Sequence, residues 1–251
     1  MTCYFSFMLN MFEAIKHNDI EKIKELINNG VDVNARDKYE RTPLHYVKSY
    51  EVAKLLIDNG ADVNAKDFYG STPLYDIICR NIYDIVKLLI EHGADVNTKN
   101  IGGRTPLYCV NDYNIAKLLL EHGANVNTKD ESEWTPLHIA IEHNYYGITK
   151  LFIYNGADVN AKNIFGNTPL HYYAKSYEIT KLLIEHGANV NIQNEDGETP
   201  LHITSNYKVA KLLLEYGANV DIQNDCGDTP LHHAINYGGG INLIKLLLSY
   251  Y

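Results

Sequence analysis

Residues 42–66 read TPLHYVKSYEVAKLLIDNGADVNAK, and the opening TPL of that phrase returns six more times along the 251-residue chain. All seven prolines occupy one slot, the second residue of TPL: Pro43, Pro73, Pro106, Pro136, Pro169, Pro200 and Pro230. The threonines before them, Thr42, Thr72, Thr105, Thr135, Thr168, Thr199 and Thr229, stand 30, 33, 30, 33, 31 and 30 residues apart. A lysine ahead of a Leu-Leu-like pair is the second marker, at Lys24, Lys54, Lys87, Lys117, Lys150, Lys181, Lys211 and Lys245. From each of the first seven lysines to the next threonine is 18 residues, so length varies only between threonine and lysine. Self-similarity at a fixed period is the mark of a stacked repeat.

Each copy has a physical reading. A threonine at a helix N-cap accepts a hydrogen bond from a free backbone N–H of the first turn. Proline follows well at N1, where its missing N–H costs nothing. A short helix A therefore starts at each TPL. Helix B runs through stretches such as EVAKLLIDNG and stops at Gly30, Gly60, Gly93, Gly123, Gly156, Gly187 or Gly217, since glycine takes the left-handed conformation past a helix end. Neither helix buries its apolar face alone, but stacked copies share one core.

The pattern GxTPLH…LLIEHGADVNAK resembles the ankyrin repeat, with its period of 33 and T-P-L-H-x-A signature. The resemblance covers nearly everything after residue 10. It implies an all-α ankyrin-repeat solenoid of about eight stacked helix-turn-helix units with turn fingers. After an N-terminal extension over 1–9, the array is a single domain, 10–251. Its units are about 10–36, 37–66, 67–99, 100–129, 130–162, 163–193, 194–223 and 224–251. The first lacks TPL. Tyr75 and Tyr108 replace the motif histidine, and Glu40 and Glu133 replace the usual turn glycine. Units two, four, six and seven are two or three residues short around helix A. Losing three residues removes roughly one turn, so a wall of A helices notched at those units is expected. Tyr251 stands where a helix-ending glycine would come, so the last unit lacks a finished polar cap and is expected to fray first.

Composition narrows the function. A formal net charge of -9 disfavours sequence-independent nucleic-acid binding, which needs lysine and arginine to neutralise phosphates. No apolar run reaches the ~18 residues of a membrane helix. The N-terminal MTCYFSFMLN lacks a basic leader and a small-residue cleavage site, so no secretory signal is expected. Cys3, Cys79, Cys109 and Cys226 form no C-x-x-C pair, and reduced thiols in the cytoplasm are the expectation.

Five of eleven histidines fall in TPLH: His45, His138, His171, His202 and His232. Three more fall in EHG: His92, His122 and His186. Repetition at fixed positions is the signature of a scaffold, whereas a catalytic site would be a single exception. The resemblance implies that the TPLH histidine hydrogen-bonds within and between neighbouring repeats. His143 and the pair His232-His233 have no cysteine or carboxylate at a familiar zinc spacing. No nucleophile elbow, phosphate loop or H-E-x-x-H occurs. No metal, cofactor or catalytic residue is expected.

The lysines of helix B are followed four residues later by Asp58, Glu91, Glu121, Glu185 or Glu215, which predicts a solvated, charge-balanced outer surface. Tyr50, Tyr83, Tyr113, Tyr146, Tyr177 and Tyr207 stand four residues before such lysines. They are expected to pack at the start of helix B with the hydroxyl in water.

Residues that vary between copies are the candidates for recognition. Ankyrin partners usually contact the turn tips and the exposed side of helix A. By resemblance, the tips here begin at Asp37, Asp67, Asn100, Asp130, Asn163, Asn194 and Asn224. The early and middle ones carry Lys38, Tyr39, Arg41, Phe68, Tyr69, Ile101, Arg104, Trp134, Ile164 and Phe165; the last two carry Glu195, Asp196, Glu198, Asp225 and Asp228. Aromatic and arginine side chains dominate interface energetics. The expected function is a monomeric, non-catalytic scaffold binding a partner protein. The alternatives are a direct inhibitor or regulatory subunit of an enzyme, or a spacer. The Asn-, Ile-, Tyr- and Lys-rich composition resembles ankyrin proteins of intracellular bacteria and large DNA viruses, which often act as adaptors or effectors in host cells.

Overall fold

Each TPL starts a turn of helix because Thr and Pro fix the backbone there. Thr42, Thr72, Thr105 and Thr135 sit in extended conformation, and the following proline is the first helical residue. The computed structural model describes residues 10–172 and 176–250, and among them there are helices and turns but no strand. The extension expected over 1–9 lies outside the described residues. The chain packs as two bodies, Met1–Asn125 and Val126–Tyr251. The first carries the helices of units one to four and the second those of units five to eight.

Within the first body the B helices Ile20–Asn28, Tyr50–Asp58, Tyr83–Glu91 and Tyr113–Glu121 pack in order. Within the second, Tyr146–Tyr154, Tyr177–Glu185, Tyr207–Glu215 and Ile241–Leu248 do the same. Their buried faces, such as Val52, Ala53 and Leu56 or Leu212 and Leu213, lie in the core on helices that pack against the A segments carrying buried Leu44 and Leu201. Each of the six tyrosines opens a helix B and stays exposed. The five lysine–acid pairs form as expected, from Lys54–Asp58 at 3.0 Å to Lys87–Glu91 at 3.9 Å. No helix among the described residues is long and apolar enough to cross a membrane.

The expected notches are present at units two, four and seven, while that of unit six falls against residues 173–175, outside the described residues. Units three, five and eight have α-helices at Pro73–Cys79, Pro136–Glu142 and Pro230–Asn236. Units two and four have a single 3-10 turn, Pro43–Tyr46 and Pro106–Cys109. The helical segments of units six and seven are Pro169–Tyr172 and Pro200–Ile203. The short units enter helix B differently. Ser49, Asp112, Ser176 and Asn206 cap it, each accepting a first-turn backbone N–H on its side chain. Units three and five turn instead through Asn81 and Asn144, both left-handed, and their B helices lack a side-chain cap.

A ladder of hydrogen bonds runs through the last asparagine of DVN or NVN. Asn34 Nδ2 donates to Gly60 O at 2.9 Å, and its Oδ1 accepts from Asp62 N at 2.7 Å. Asn64 and Asn97 repeat this in the first body, and Asn127, Asn160 and Asn191 in the second.

The expectation of four reduced thiols needs correction. Cys79 and Cys109 form a disulfide, with Cα atoms 5.2 Å apart. Their sequence separation of 30 is one repeat period, so stacking brings them side by side. Cys226 is free and exposed.

Candidate functional site

The TPLH histidines are placed by the same turn that starts helix A. In unit two the Thr42 backbone N–H donates to His45 Nδ1 at 3.0 Å. Nδ1 is therefore the acceptor and Nε2 carries the proton. His45 Nε2 lies 3.2 Å from the carbonyl of Ser71, in the next unit. His171 and His202 repeat the bridge to Glu198 O and Asp228 O, both at 3.1 Å. His138 keeps the bond from Thr135 N–H at 3.1 Å. Burial pushes His138 and His171 down to about 4 and lowers His45 and His202 as well. These imidazoles are neutral fasteners. The EHG histidines finish helix B instead, with His92, His122 and His186 Nδ1 2.8–2.9 Å from the carbonyl four residues back. Among the described residues no three His, Cys, Asp or Glu side chains converge as a metal-holding group.

The tips are built by their first residue. Asp37 Oδ1 accepts the backbone N–H of Tyr39 at 2.8 Å and of Arg41 at 3.0 Å. Asp67, Asn100, Asp130, Asn163, Asn194 and Asn224 do the same in their own tips. This self-bonding Asx turn holds the loop closed without help from neighbours. Successive tips then join by one backbone bond. Phe68 N donates to Tyr39 O and Ile101 N to Tyr69 O in the first body; Ile164 N donates to Ser132 O and Glu195 N to Phe165 O in the second. The backbone joins the row, and side chains such as Phe68, Ile101, Ile164 and Phe165 are left exposed.

That geometry divides the ten candidate residues into two groups. Phe68 is 68% exposed, Ile101 67%, Phe165 56%, Ile164 52%, Tyr69 47% and Tyr39 46%. Phe68 and Tyr69 meet edge to face at 5.4 Å, and Lys38 Nζ lies 4.8 Å from the Tyr39 ring. Arg104 is exposed with its guanidinium 6.0 Å from the Tyr108 ring.

Arg41 and Trp134 are held by neighbours within the array. Arg41 Nε bonds Asp67 Oδ2 at 3.1 Å, and the Asp67 side chain is fully buried. Its other arm lies 3.9 Å from Asp76, whose carboxyl is pushed up by burial. Trp134 is half-buried, with its ring 4.5 Å from Tyr172 and 5.6 Å from His138. Tyr172 Oη in turn accepts from Asn163 Nδ2 at 2.7 Å. Arg80, which the sequence did not single out, fills the notch of unit two. Its guanidinium donates to His45 O and Val47 O, carbonyls that a longer helix A would have paired. The Cys79–Cys109 disulfide was also missed; its one-period spacing was the available signal.

The last two tips differ in charge. Glu195, Asp196 and Asp225 are exposed, while Glu198 is half-buried beside His233, 3.3 Å away. On the opposite side of the units, open grooves separate neighbouring B helices, one of them lined by Tyr177, Tyr207, Lys208 and Lys211.

Comparison with known proteins agrees with this architecture. The family profile described as ankyrin repeats (3 copies) matches residues 11–100, 98–163, 147–224 and 170–251. An ankyrin repeat protein of fowlpox virus (strain NVSL) is 57% identical over 37 residues, which is 15% of this chain and 7% of that protein. The crystal structure of the ankyrin repeat domain of Bcl-3, a member of the IkappaB protein family, superposes with a TM-score of 0.71. It is 25% identical, and the match covers 82% of this chain and 97% of that one.

Proposed function

The chain belongs to the ankyrin-repeat family, whose members are generally protein–protein interaction modules. From that premise we propose that it is a non-catalytic scaffold, holding a partner protein against its finger tips and the exposed side of its A segments. The observation that carries the reading is the exposure of Phe68, Ile101, Ile164 and Phe165 on tips whose backbones are already bonded to each other. None of these side chains is needed to hold its tip. Large apolar groups on rigid turns lose little conformational freedom when a partner covers them. In the first body they stand among Lys38 and Arg104; in the second, the acidic tips would orient a basic region of the partner.

A cytoplasmic, monomeric adaptor acting in a host cell is the setting we favour. The 37-residue segment shared with a fowlpox virus ankyrin repeat protein supports only the viral part of that setting. Use as a direct inhibitor of an enzyme is a form of the same surface reading. The test is an affinity pull-down from cell extract with wild type and with Phe68→Ala/Ile101→Ala and Ile164→Ala/Phe165→Ala. Loss of a specific partner by either pair at unchanged stability supports the proposal. A partner retained at full strength by both sinks it.

A further inference from the structure

Cys79 and Cys109 occupy positions that vary between units. The equivalents of Cys79 are Glu142 and Asn236, and those of Cys109 include Tyr46, Asp76, Ile139 and Ile203. The repeat does not require sulfur at either place. Yet the two lie at the C-terminal ends of neighbouring A segments, Pro73–Cys79 and Pro106–Cys109, with Cα atoms 5.2 Å apart. That separation lies inside the range that accommodates a disulfide. They cross the boundary between units three and four, where Tyr75 and Tyr108 interrupt the histidine fasteners. Unit four's A segment is there a single 3-10 turn. Cys79 is exposed and Cys109 half-buried, so Cys79 is the more open of the two to an incoming thiol.

We propose that Cys79 and Cys109 form a thiol–disulfide exchange site for low-molecular-weight thiols, and that its oxidation state sets how firmly unit four's A segment is held to unit three. In the reducing direction a thiolate RS⁻ attacks Cys79 Sγ. The Sγ–Sγ bond breaks, its electron pair leaves on Cys109 Sγ, which takes a proton, and a Cys79–S–S–R mixed disulfide remains. A second RS⁻ attacks the R sulfur, releasing Cys79 as thiolate and RSSR as product. Two electrons pass from two small thiols to the protein cystine; the reverse sequence, with RSSR as oxidant, closes the bond again. Closing it removes conformational freedom from a loop of one repeat period in the unfolded chain. It also tethers the shortened turn in the native state.

The experiment equilibrates the full chain in buffers of stepped glutathione to glutathione-disulfide ratio, then traps free thiols with N-ethylmaleimide and maps them by mass. Free, exposed Cys226 is the internal reference. Cys79 and Cys109 are expected to gain label together, in one transition that follows the square of the thiol over the disulfide concentration. Cys226 labels from its own equilibrium, independent of that transition. Across it, the melting temperature should fall by several degrees. Amide exchange at Leu107, Tyr108 and Val110 should quicken by about tenfold. Cys79→Ser and Cys109→Ser should each show the reduced protein's values at every ratio. Labelling of Cys79 and Cys109 in the most oxidising buffer would overturn the pairing. Joint labelling with no change in melting or amide exchange would overturn the hold on unit four. Labelling, melting and exchange are all read on the unmutated chain, so a serine variant that folds poorly leaves both parts of the proposal open to refutation.

Discussion

His45 Nε2 stands 3.2 Å from the backbone carbonyl of Ser71 across the boundary between units two and three. Nδ1 accepts from the Thr42 backbone N–H, and it is that second bond which requires a neutral ring. Protonation would set an Nδ1–H donor against the Thr42 N–H donor and add a buried charge. Burial accordingly lowers His45 and His202 from their ordinary value of 6.5 and takes His138 and His171 to about 4. A folded-state value below the unfolded one means stability that is complete above pH 6.5 and lost as pH falls. Each tenfold drop in proton affinity is worth about 1.4 kcal/mol, so His138 and His171 together lose on the order of several kcal/mol between pH 6.5 and 4. Thermal melts over that window should show a steep fall that His138→Gln flattens. A melting temperature constant down to pH 4 would refute the neutral-fastener reading.

Glu40 and Glu133 hold turn positions with φ of +60° and +57°, where Gly70, Gly103, Gly166, Gly197 and Gly227 do so elsewhere. A side chain in that region costs about 1–2 kcal/mol. Their exposed pairings, Glu40 with Arg36 at 3.6 Å and Glu133 with Lys129 at 2.8 Å, return little of it. Glu40→Gly and Glu133→Gly should therefore each stabilise the chain by about 1 kcal/mol, less the entropy that glycine adds to the unfolded state. The reverse change has a second cost at Gly166, where a Cβ would come 2.8 Å from Glu195 N. Gly166→Ala should lower the melting temperature by several degrees, measured beside the two stabilising variants.

Ile235 and Leu248 are 56% and 54% exposed, whereas their equivalents Ile78, Ile141, Ile184 and Leu214 are at most 8% exposed. In each earlier case the following helix pair covers the side chain. Native-state amide exchange should therefore be fastest in Ile241–Leu248 among the B helices of the second body. Exchange there as slow as in Tyr177–Glu185 would contradict the expected fraying.

Much of this fold could be read from the sequence because the repeat writes it seven times. The position of each A segment, the shortened turns of units two and four, the five lysine pairs and the role of His45 all follow from recurring residues. What could not be read lies in the third dimension between copies. Arg41 and Phe68 look alike as tip residues, yet Arg41 reaches sideways to the buried carboxylate of Asp67 while the Phe68 ring stays 68% exposed beside Tyr69. Trp134 is another such case, since only the presence of Tyr172 one unit on decides that its ring is covered. The cysteine pair stays hidden as long as 30 residues counts as distance, although in a stacked array 30 residues is one step sideways.

That division of the tip residues gives the sharpest test of function. Phe68 and Phe165 are offered to solvent, so Phe68→Ala and Phe165→Ala should shift the melting temperature by no more than about 1–2 °C, as surface changes within about 0.5 kcal/mol do. Either should weaken a captured partner at least about tenfold if its ring is an anchor worth more than ~1.4 kcal/mol. Arg41→Ala leaves the Asp67 carboxylate buried beside an empty place and should cost about 2 kcal/mol. Trp134→Ala opens a gap against Tyr172 and His138 and should cost about the same. Measured side by side by calorimetry and by titration of the partner, the two pairs of variants should separate: binding lost without stability at the phenylalanines, stability lost first at Arg41 and Trp134. If the phenylalanine variants melt early and the other two do not, the exposed rings are stiffening the tip row, and the partner is held elsewhere.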